Sequence, residues 1–464
     1  MTVSESVAIA LDLGTTSVKA GLMNRQGEIS DLIVHRVPEV NVNDGRYESD
    51  ALAYAQVAEQ ALSECVSHAG TCRILGLSCQ RSSFLIWERD TGMPVTALIS
   101  WQDDRGLPAC EELRADESQI RAVTGLPLTP YYFAPKLRTV LHENPDIRSR
   151  LLRGELLVGT LETFLVWRWS GGRHFITDAS MAARTLLMDL RQMQWSSRLC
   201  ELFDIPIALL PEIVPSEAID FRLDNGLILQ ASLGDQSAAL IASLDDEENE
   251  VLINLGTGGF VARYMPENLA IPDGYLQTLV YQDKSRRSHL AVEGTLNSIA
   301  VALAPYPVNE CRFEDLAQDD MFCIAEPSGI GAPYFRTDIG LMFSSPVEIL
   351  SQHRMAALLL EGIIFRVTAI LEDFHRLKPV ERIYLSGGLS GIDCLQQGIA
   401  ECAPCETLLL RQRETSLNGV ALLAAGRHSS SYHKSSRIAV TARSSVLGRK
   451  YMQWKSWLDI LLLK

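Results

Sequence analysis

One segment of this chain occurs twice. Sixteen residues of VAIALDLGTTSVKAGLM, ending at Met23, align without gaps on EVLINLGTGGFVARYM, which runs from Glu250 to Met265. Both copies read as strand, Leu-Gly-Thr turn, strand. Leu13-Gly14-Thr15 matches Leu255-Gly256-Thr257, and Ala20 and Met23 match Ala262 and Met265. A supersecondary unit repeated about half a chain apart points to duplication, with a boundary near residues 225 to 245 and a ligand cleft between two halves.

The length agrees with that division. At 464 residues the chain exceeds one ordinary core and suggests two to four domains. With 47% hydrophobic and 21% charged residues the composition is that of a folded globular protein. A formal charge of -15 argues against nucleic acid or anionic membrane as a partner, because polyanion binding needs clustered Lys and Arg. Small molecules are the expected partners, and an anionic one needs local devices such as backbone N–H groups, a metal and a few placed cations.

Ten cysteines without a regular framework, and no signal peptide before the first strand, predict a cytoplasmic protein. Cys402 and Cys405 have CxxC spacing, but no second pair or nearby His completes a zinc site. No apolar run is long enough for membrane insertion. Residues 427–464 differ from the rest, with eight Lys or Arg against one Asp, and eight Ser. They are expected to form a partly ordered basic tail, or a docking helix around Trp454 and Trp457.

The pattern from Val7 predicts successive strands (VAIALD, SVKAGLM, EISDLIVHRV), a helix from about Ala51 to His68, and strands again at RILGLSC and SFLIWE. Strands alternating with helices predict an α/β class.

Gly14, Thr15 and Thr16 occupy a tight turn where glycine permits close approach and successive N–H groups form an anion nest, the Thr hydroxyls adding donors. Asp12, at the end of the preceding apolar strand, is either a turn-capping carboxylate or a metal-side carboxylate facing phosphates; Asn254 stands at the matching place in the second copy. Asp235 follows Gly234 at the start of an Ala-rich segment and reads equally as a helix N-cap or as a base taking a proton from a hydroxyl. The glycines of Ser386-Gly387-Gly388-Leu389-Ser390-Gly391 and Gly329-Ile330-Gly331 either pack on a nucleotide or make turns. Neither a Walker nor a Rossmann fingerprint occurs, and the HEN at His142 lacks the second His of a zinc protease.

Taken together these segments resemble the FGGY family of carbohydrate kinases, most closely its glycerol kinase branch. IALDLGTTSVKAGLM, SCQRSSFLIWERDTGMPVTALISWQDDR, TPYYFAPKL, LGDQSAAL, INLGTGGF, GIGAPYF and YLSGGLSG occur in the family's order across residues 7 to 426. The resemblance implies a two-domain ribonuclease-H-like fold of the actin and hexokinase type, with the active site in an interdomain cleft. It implies an N-terminal domain over 1–232 and a nucleotide-binding C-terminal domain over 233–426, followed by the tail. The implied activity is ATP-dependent, Mg2+-assisted phosphorylation of a primary hydroxyl of a small polyol or sugar, glycerol-like by preference.

By the same resemblance Asp235 is the catalytic base and Asp12 lies near Mg2+. Thr15, Thr16, Lys19, Gly256 and Thr257 serve the phosphates, and Gly387 and Gly388 lie by the adenosine. Arg81, Ser82, Trp101, Tyr131, Asp235, Gln236 and Phe260 surround the acceptor. The chain departs from the glycerol branch at Ser82, where a Glu is usual, at Lys19 (Arg), at Ala300 and Ala304 (Gly and Gln) and at Ile392 (Asn). A ketose kinase of the xylulokinase type is the alternative, which Arg81 disfavours because those enzymes carry QMH; a nucleotide-binding sugar sensor without turnover is another. Homodimer formation stays open.

Overall fold

The first copy of the repeat folds as two antiparallel strands, Ser6–Leu13 and Ser17–Asn24, and a third, Ile29–Arg36, pairs antiparallel with the second. Ser6–Leu13 also pairs in parallel with Ile74–Cys79, which pairs in parallel with Ile228–Gly234; Glu217–Arg222 closes that edge antiparallel. The result is a six-stranded mixed sheet with Ser6–Leu13 inside it. A strand flanked on both sides and covered by helices reads as a continuous apolar run, and Ala8 through Leu11 are fully buried. The structure is a computed structural model and describes residues 6–245, 248–265, 270–347, 350–411, 414–428, 435–438 and 445–463.

The helix predicted at 51–68 forms over Ala51–His68, capped by Asp50, whose carboxylate accepts from the Ala53 amide at 2.9 Å. Its buried stripe of Ala51, Ala55, Ala58, Leu62 and Cys65 recurs at helical spacing and packs into the core of the sheet. Two further helices, Asp235–Ser243 and Thr415–Ala424, pack against each other and against the same sheet. A smaller five-stranded sheet, built around Phe84–Glu88 and Leu156–Thr160, surrounds a second cluster in which the Phe84 and Phe133 rings meet at 4.9 Å.

The chain forms two compact units. One comprises Met1–Asp245, Thr278–Leu290 and Glu414–Tyr432; the other Asp246–Gln277, Ala291–Arg413 and His433–Lys464. The first continues past residue 232 because Ile228–Gly234 is hydrogen-bonded to Ile74–Cys79 and the helix beginning at Asp235 packs on Thr415–Ala424.

The second copy of the repeat organises the second unit in the same way. Glu250–Leu255 and Gly259–Tyr264 are antiparallel, and Arg382–Ser386 lies parallel beside Glu250–Leu255, as Ile74–Cys79 lies beside Ser6–Leu13. The gapless alignment needs one correction. In the first hairpin Asp12 faces Lys19, whereas in the second Asn254 faces Phe260, not Val261. The second turn is one residue shorter: the Gly14 amide reaches the Ser17 carbonyl at 3.1 Å, and the Gly256 amide the Gly258 carbonyl at 2.7 Å.

Of residues 427–464, the structure describes a helix over Ser445–Leu462 that docks on the second unit; residues 429–434, 439–444 and 464 lie outside the described residues. Trp454 is fully buried beside Phe365, and Lys450 is paired with Glu361 at 2.5 Å and Asp319 at 3.1 Å. The ten cysteines, Cys402 and Cys405 among them, are free thiols. No described helix is long and apolar enough to cross a membrane.

Candidate active site

In the first unit three strands end at one level, because their register aligns Leu13 with Cys79 and Cys79 with Gly234. Each strand leads directly into candidate residues: the first into the Gly14 turn, the second into Gln80-Arg81-Ser82, the third into Asp235. Carboxyl ends of parallel strands are where open α/β sheets bind ligands, since diverging loops leave room and helix N-termini point there.

Asp12 pairs in register with Ser78, whose hydroxyl donates to Asp12 Oδ1 at 2.8 Å. The turn-capping alternative is not what forms, as this is the carboxylate's one hydrogen bond among the described residues. Burial pushes the Asp12 carboxyl up to about 7, against the lowering effects of the Ser78 hydroxyl and Lys19. Asp235 is not an N-cap: Gly234 caps, and Asp235 is the first helical residue, accepting from the Gln236 amide at 2.8 Å. Burial raises its carboxyl, while Arg81, then that amide, then Arg184 oppose the shift. Arg81 Nε lies 3.7 Å from Asp235 Oδ1, and Arg81 also donates to the Gln236 side chain. A Cβ at Gly234 would sit 2.8 Å from Arg81 Cδ, so a larger residue there would displace the Arg81 side chain.

The first Gly-Thr turn is fixed from three sides. Buried Tyr54 donates to the Gly14 carbonyl at 2.7 Å, and the Gln80 amide to the Leu13 carbonyl at 2.9 Å. The Thr15 hydroxyl donates to Gln80 Oε1 and accepts from Trp101 Nε1, both at 3.0 Å. That hydroxyl is thus hydrogen-bonded on both sides within the protein; Thr16 is exposed. Lys19 is held by an ion pair with Glu414.

Ser82 is buried with φ 64°, a backbone region that costs a non-glycine residue about 1–3 kcal/mol. Its carbonyl accepts from buried Lys136 Nζ at 2.9 Å, and its hydroxyl donates to the Arg184 carbonyl at 3.1 Å. Burial pulls the Lys136 amine down to about 7. Trp101 and Tyr131 are exposed, and the Tyr131 ring meets Tyr132 edge-on.

The second unit holds the other candidates. Gly387 has φ 92° and lies so close to the second hairpin that a Cβ would be 2.3 Å from the Leu255 carbonyl oxygen, so only glycine fits. Gly256, Thr257, Gly387 and Gly388 thus border one another, as Ser386 pairs in parallel register with Asn254. The Thr257 carbonyl accepts from the Ala300 amide at 3.1 Å, and Phe260 is half-buried opposite Asn254. The Gly329-Ile330-Gly331 turn is held by buried Glu326, which accepts from Gly331 at 2.9 Å and pairs with Arg366 at 2.7 Å.

Sequence reading missed Ser78, Gln80, Lys136, Ser180, Arg184 and Glu414. Ser78 and Gln80 lie in the SCQR segment and Lys136 in TPYYFAPKL, though no role was read for them there; Ser180, Arg184 and Glu414 reach the site through register and packing. Ser180 accepts from the Gly234 amide at 3.0 Å, and the buried Asp178 accepts from Ser180's own amide at 2.8 Å, holding the loop before Asp235.

The FGGY family of carbohydrate kinases matches by its N-terminal domain over residues 7–246 and its C-terminal domain over 251–427. Glycerol kinase of Trichlorobacter lovleyi is 30% identical over 449 residues, 90% of this chain and 89% of the relative. That of Shewanella oneidensis is 30% identical over 441 residues, again 90% and 89%. Among solved structures, Plasmodium falciparum glycerol kinase with ADP superposes with a TM-score of 0.85 at 20% identity, covering 98% of this chain and 97% of that one. Gluconate kinase of Lactobacillus acidophilus gives 0.82 at 19% identity, covering 98% of each chain. These structures share the two-domain fold expected from the motifs.

Proposed function

From its membership of the FGGY family of carbohydrate kinases, which makes the chain a phosphotransferase acting on an alcohol, we propose in-line transfer of the ATP γ-phosphoryl group to a primary hydroxyl, with Asp235 as the base. The acceptor is a small polyol or sugar, glycerol-like by the names of the relatives. The observation that carries the reading is the alignment of Leu13, Cys79 and Gly234, which brings Asp12, Arg81 and Asp235 to one end of one sheet.

A base needs a pKa near the working pH and a fixed direction. Burial raises the Asp235 carboxyl, and the Gln236 amide and Arg81 orient it. Arg81, Gln236 and Tyr131 supply hydrogen bonds to acceptor hydroxyls, Trp101 and Phe260 cover its carbon backbone, and Ser82 shapes the floor. Thr15 and Thr16 through their backbone amides, Lys19, Gly256 and Thr257 serve the phosphates, and Gly387 and Gly388 the adenosine.

Mg2+ fits at Asp12, a buried carboxylate with one oxygen on Ser78 and, among the described residues, no cationic partner in contact; the ion takes one or two carboxylates plus phosphate and water. When bound it supplies charge neutralisation of the phosphates. The two units described above are proposed to close on the substrates and exclude water.

A coupled ADP-release screen over glycerol, dihydroxyacetone, erythritol, xylulose, ribulose and gluconate tests the reading, with Asp235→Asn as control. Turnover of one acceptor that falls at least ~100-fold in the variant is expected; no turnover of any acceptor refutes the kinase reading, and full activity of Asp235→Asn refutes the base.

A further inference from the structure

We propose that Lys136 is a positioning residue of the acceptor site, holding in one arrangement the three segments that carry Arg81, Trp101 and Tyr131. The inference rests on the acceptor contacts proposed above and adds the residue on which their spacing depends.

Lys136 lies one turn into the helix Phe133–Glu143, which begins two residues after Tyr131, and it is fully buried. Its Nζ donates to two main-chain carbonyls, that of Ser82 at 2.9 Å and that of Ser100 at 2.7 Å. Ser82 directly follows Arg81, and Ser100 directly precedes Trp101. One side chain therefore joins three segments that are far apart in the sequence.

Two of these segments are also bonded to each other. The Trp101 amide donates to the Ser83 hydroxyl at 2.9 Å, and that hydroxyl donates to Gln80 Oε1 at 3.3 Å. Gln80 Oε1 accepts from Thr15 as well, and the Thr15 hydroxyl takes the Trp101 indole, which closes a ring of hydrogen bonds around the first Gly-Thr turn. Ser82 stands outside that ring with φ 64°, a conformation that persists only where the surroundings over-determine it. Lys136 on its carbonyl and the Arg184 carbonyl on its hydroxyl supply that constraint.

Packing alone does not call for a lysine here. Lys136 joins no ion pair among the described residues; Asp103 and Asp104 favour its charge without touching it, and Arg105, which holds Asp103 at 2.6 and 2.8 Å, opposes it. The ammonium is supported by the two carbonyls and by the Phe84 ring, whose centroid lies 5.8 Å away. A cation without an anion in contact is costly to bury, and an apolar side chain of the same length would fill the space without that cost. What an apolar side chain cannot do is hold two carbonyls at one point.

Lys136→Met and Lys136→Ala test this on the full chain by ADP release, with glycerol, xylulose and gluconate as acceptors. In both variants kcat/KM for the acceptor is expected to fall at least ~10-fold, because misplaced contacts weaken orientation, while the KM of ATP stays within ~3-fold of the wild type. Propylamine should recover at least ~3-fold of the loss in Lys136→Ala, where its ammonium can occupy the vacated space, and none in Lys136→Met, where the side chain fills it. Acceptor kcat/KM within ~3-fold of the wild type overturns the proposal, and so does a loss shared equally by acceptor and ATP. Hydrogen exchange reads the clamp without turnover: the peptides over 80–84 and 99–103 are expected to exchange at least ~10-fold faster in Lys136→Met, with Ser6–Leu13 unchanged. Unchanged exchange in both peptides overturns the clamp and leaves the kinase reading standing. Faster exchange, with no acceptor turned over by the wild type, overturns the kinase reading and keeps the clamp.

Discussion

Gly419 lies against the carbonyl of Ala238 so closely that a Cβ at 419 would fall 1.8 Å from that oxygen. The contact joins the Thr415–Ala424 helix, which rests on the strands that lead to Asp12 and Arg81, to the helix that begins at Asp235, which rests on Ile74–Cys79 and Ile228–Gly234.

Gly419→Ala must push the two helices apart, because the obstructing atom is backbone and cannot rotate away. Overpacking of this kind costs about 1–3 kcal/mol, and a backbone clash this close falls at the upper end. The expected result is a urea midpoint lowered accordingly, with kcat falling more than KM rises as Asp235 shifts. A variant that unfolds and turns over like the wild type would show that the helices have slack that the close approach denies.

Ser78→Ala removes the hydrogen bond that Asp12 accepts from the neighbouring strand. Hydrogen bonds to a carboxylate contribute about 1.5–3 kcal/mol, and each 1.36 kcal/mol is about one pKa unit. The Ser78 hydroxyl favours the ionised form, so its loss raises a carboxyl already at about 7. The acid limb of kcat/KM is expected to move up by about one pH unit, and the Mg2+ requirement to rise with it. An unmoved limb would separate Asp12 from the rate.

The local elements were legible in the chain: the predicted strands and the 51–68 helix form close to the expected bounds, since alternation and helical spacing are properties of neighbouring residues. The repeat was legible too, because both hairpins take the same place in their sheets. The shorter second turn was not, as a one-residue difference in turn length leaves the motif intact and moves only the partner of Asn254. Asp235 as first helical residue rather than cap turned on the extended conformation of Gly234, which the letters Gly-Asp do not specify. Ser78 and Arg184 were silent because sheet register and loop packing bring them to residues 66 and 102 positions away.

Trp454 anchors the C-terminal helix. Its indole is fully buried and donates to the Cys323 carbonyl at 2.9 Å. Trp454→Ala leaves a large cavity and an unsatisfied carbonyl, a loss of about 3–5 kcal/mol. Limited proteolysis is expected to release the Ser445–Leu462 segment from the variant long before the rest unfolds. Resistance equal to the wild type would mean that the Lys450 pair with Glu361 suffices.

Asp178 predicts a pH dependence of stability. Its carboxyl is fully buried and burial pushes it up to about 7, although the Ser216 hydroxyl and the Ser180 amide favour the charged form. The unfolded chain releases this proton near pH 4, the native one near 7, so between those values the unfolded state binds fewer protons. Stability from this group therefore falls as pH rises through that window, by up to about 1.4 kcal/mol per unit, and is flat above it. Asp178→Asn cannot titrate and keeps an acceptor for the cap, so its urea midpoint should lack this slope. The wild-type minus variant difference, measured at pH 5, 6, 7 and 8, is expected to decline and then level off. A difference that is constant across the four points would mean that Asp178 is ionised in the native protein throughout, held so by its hydrogen bonds.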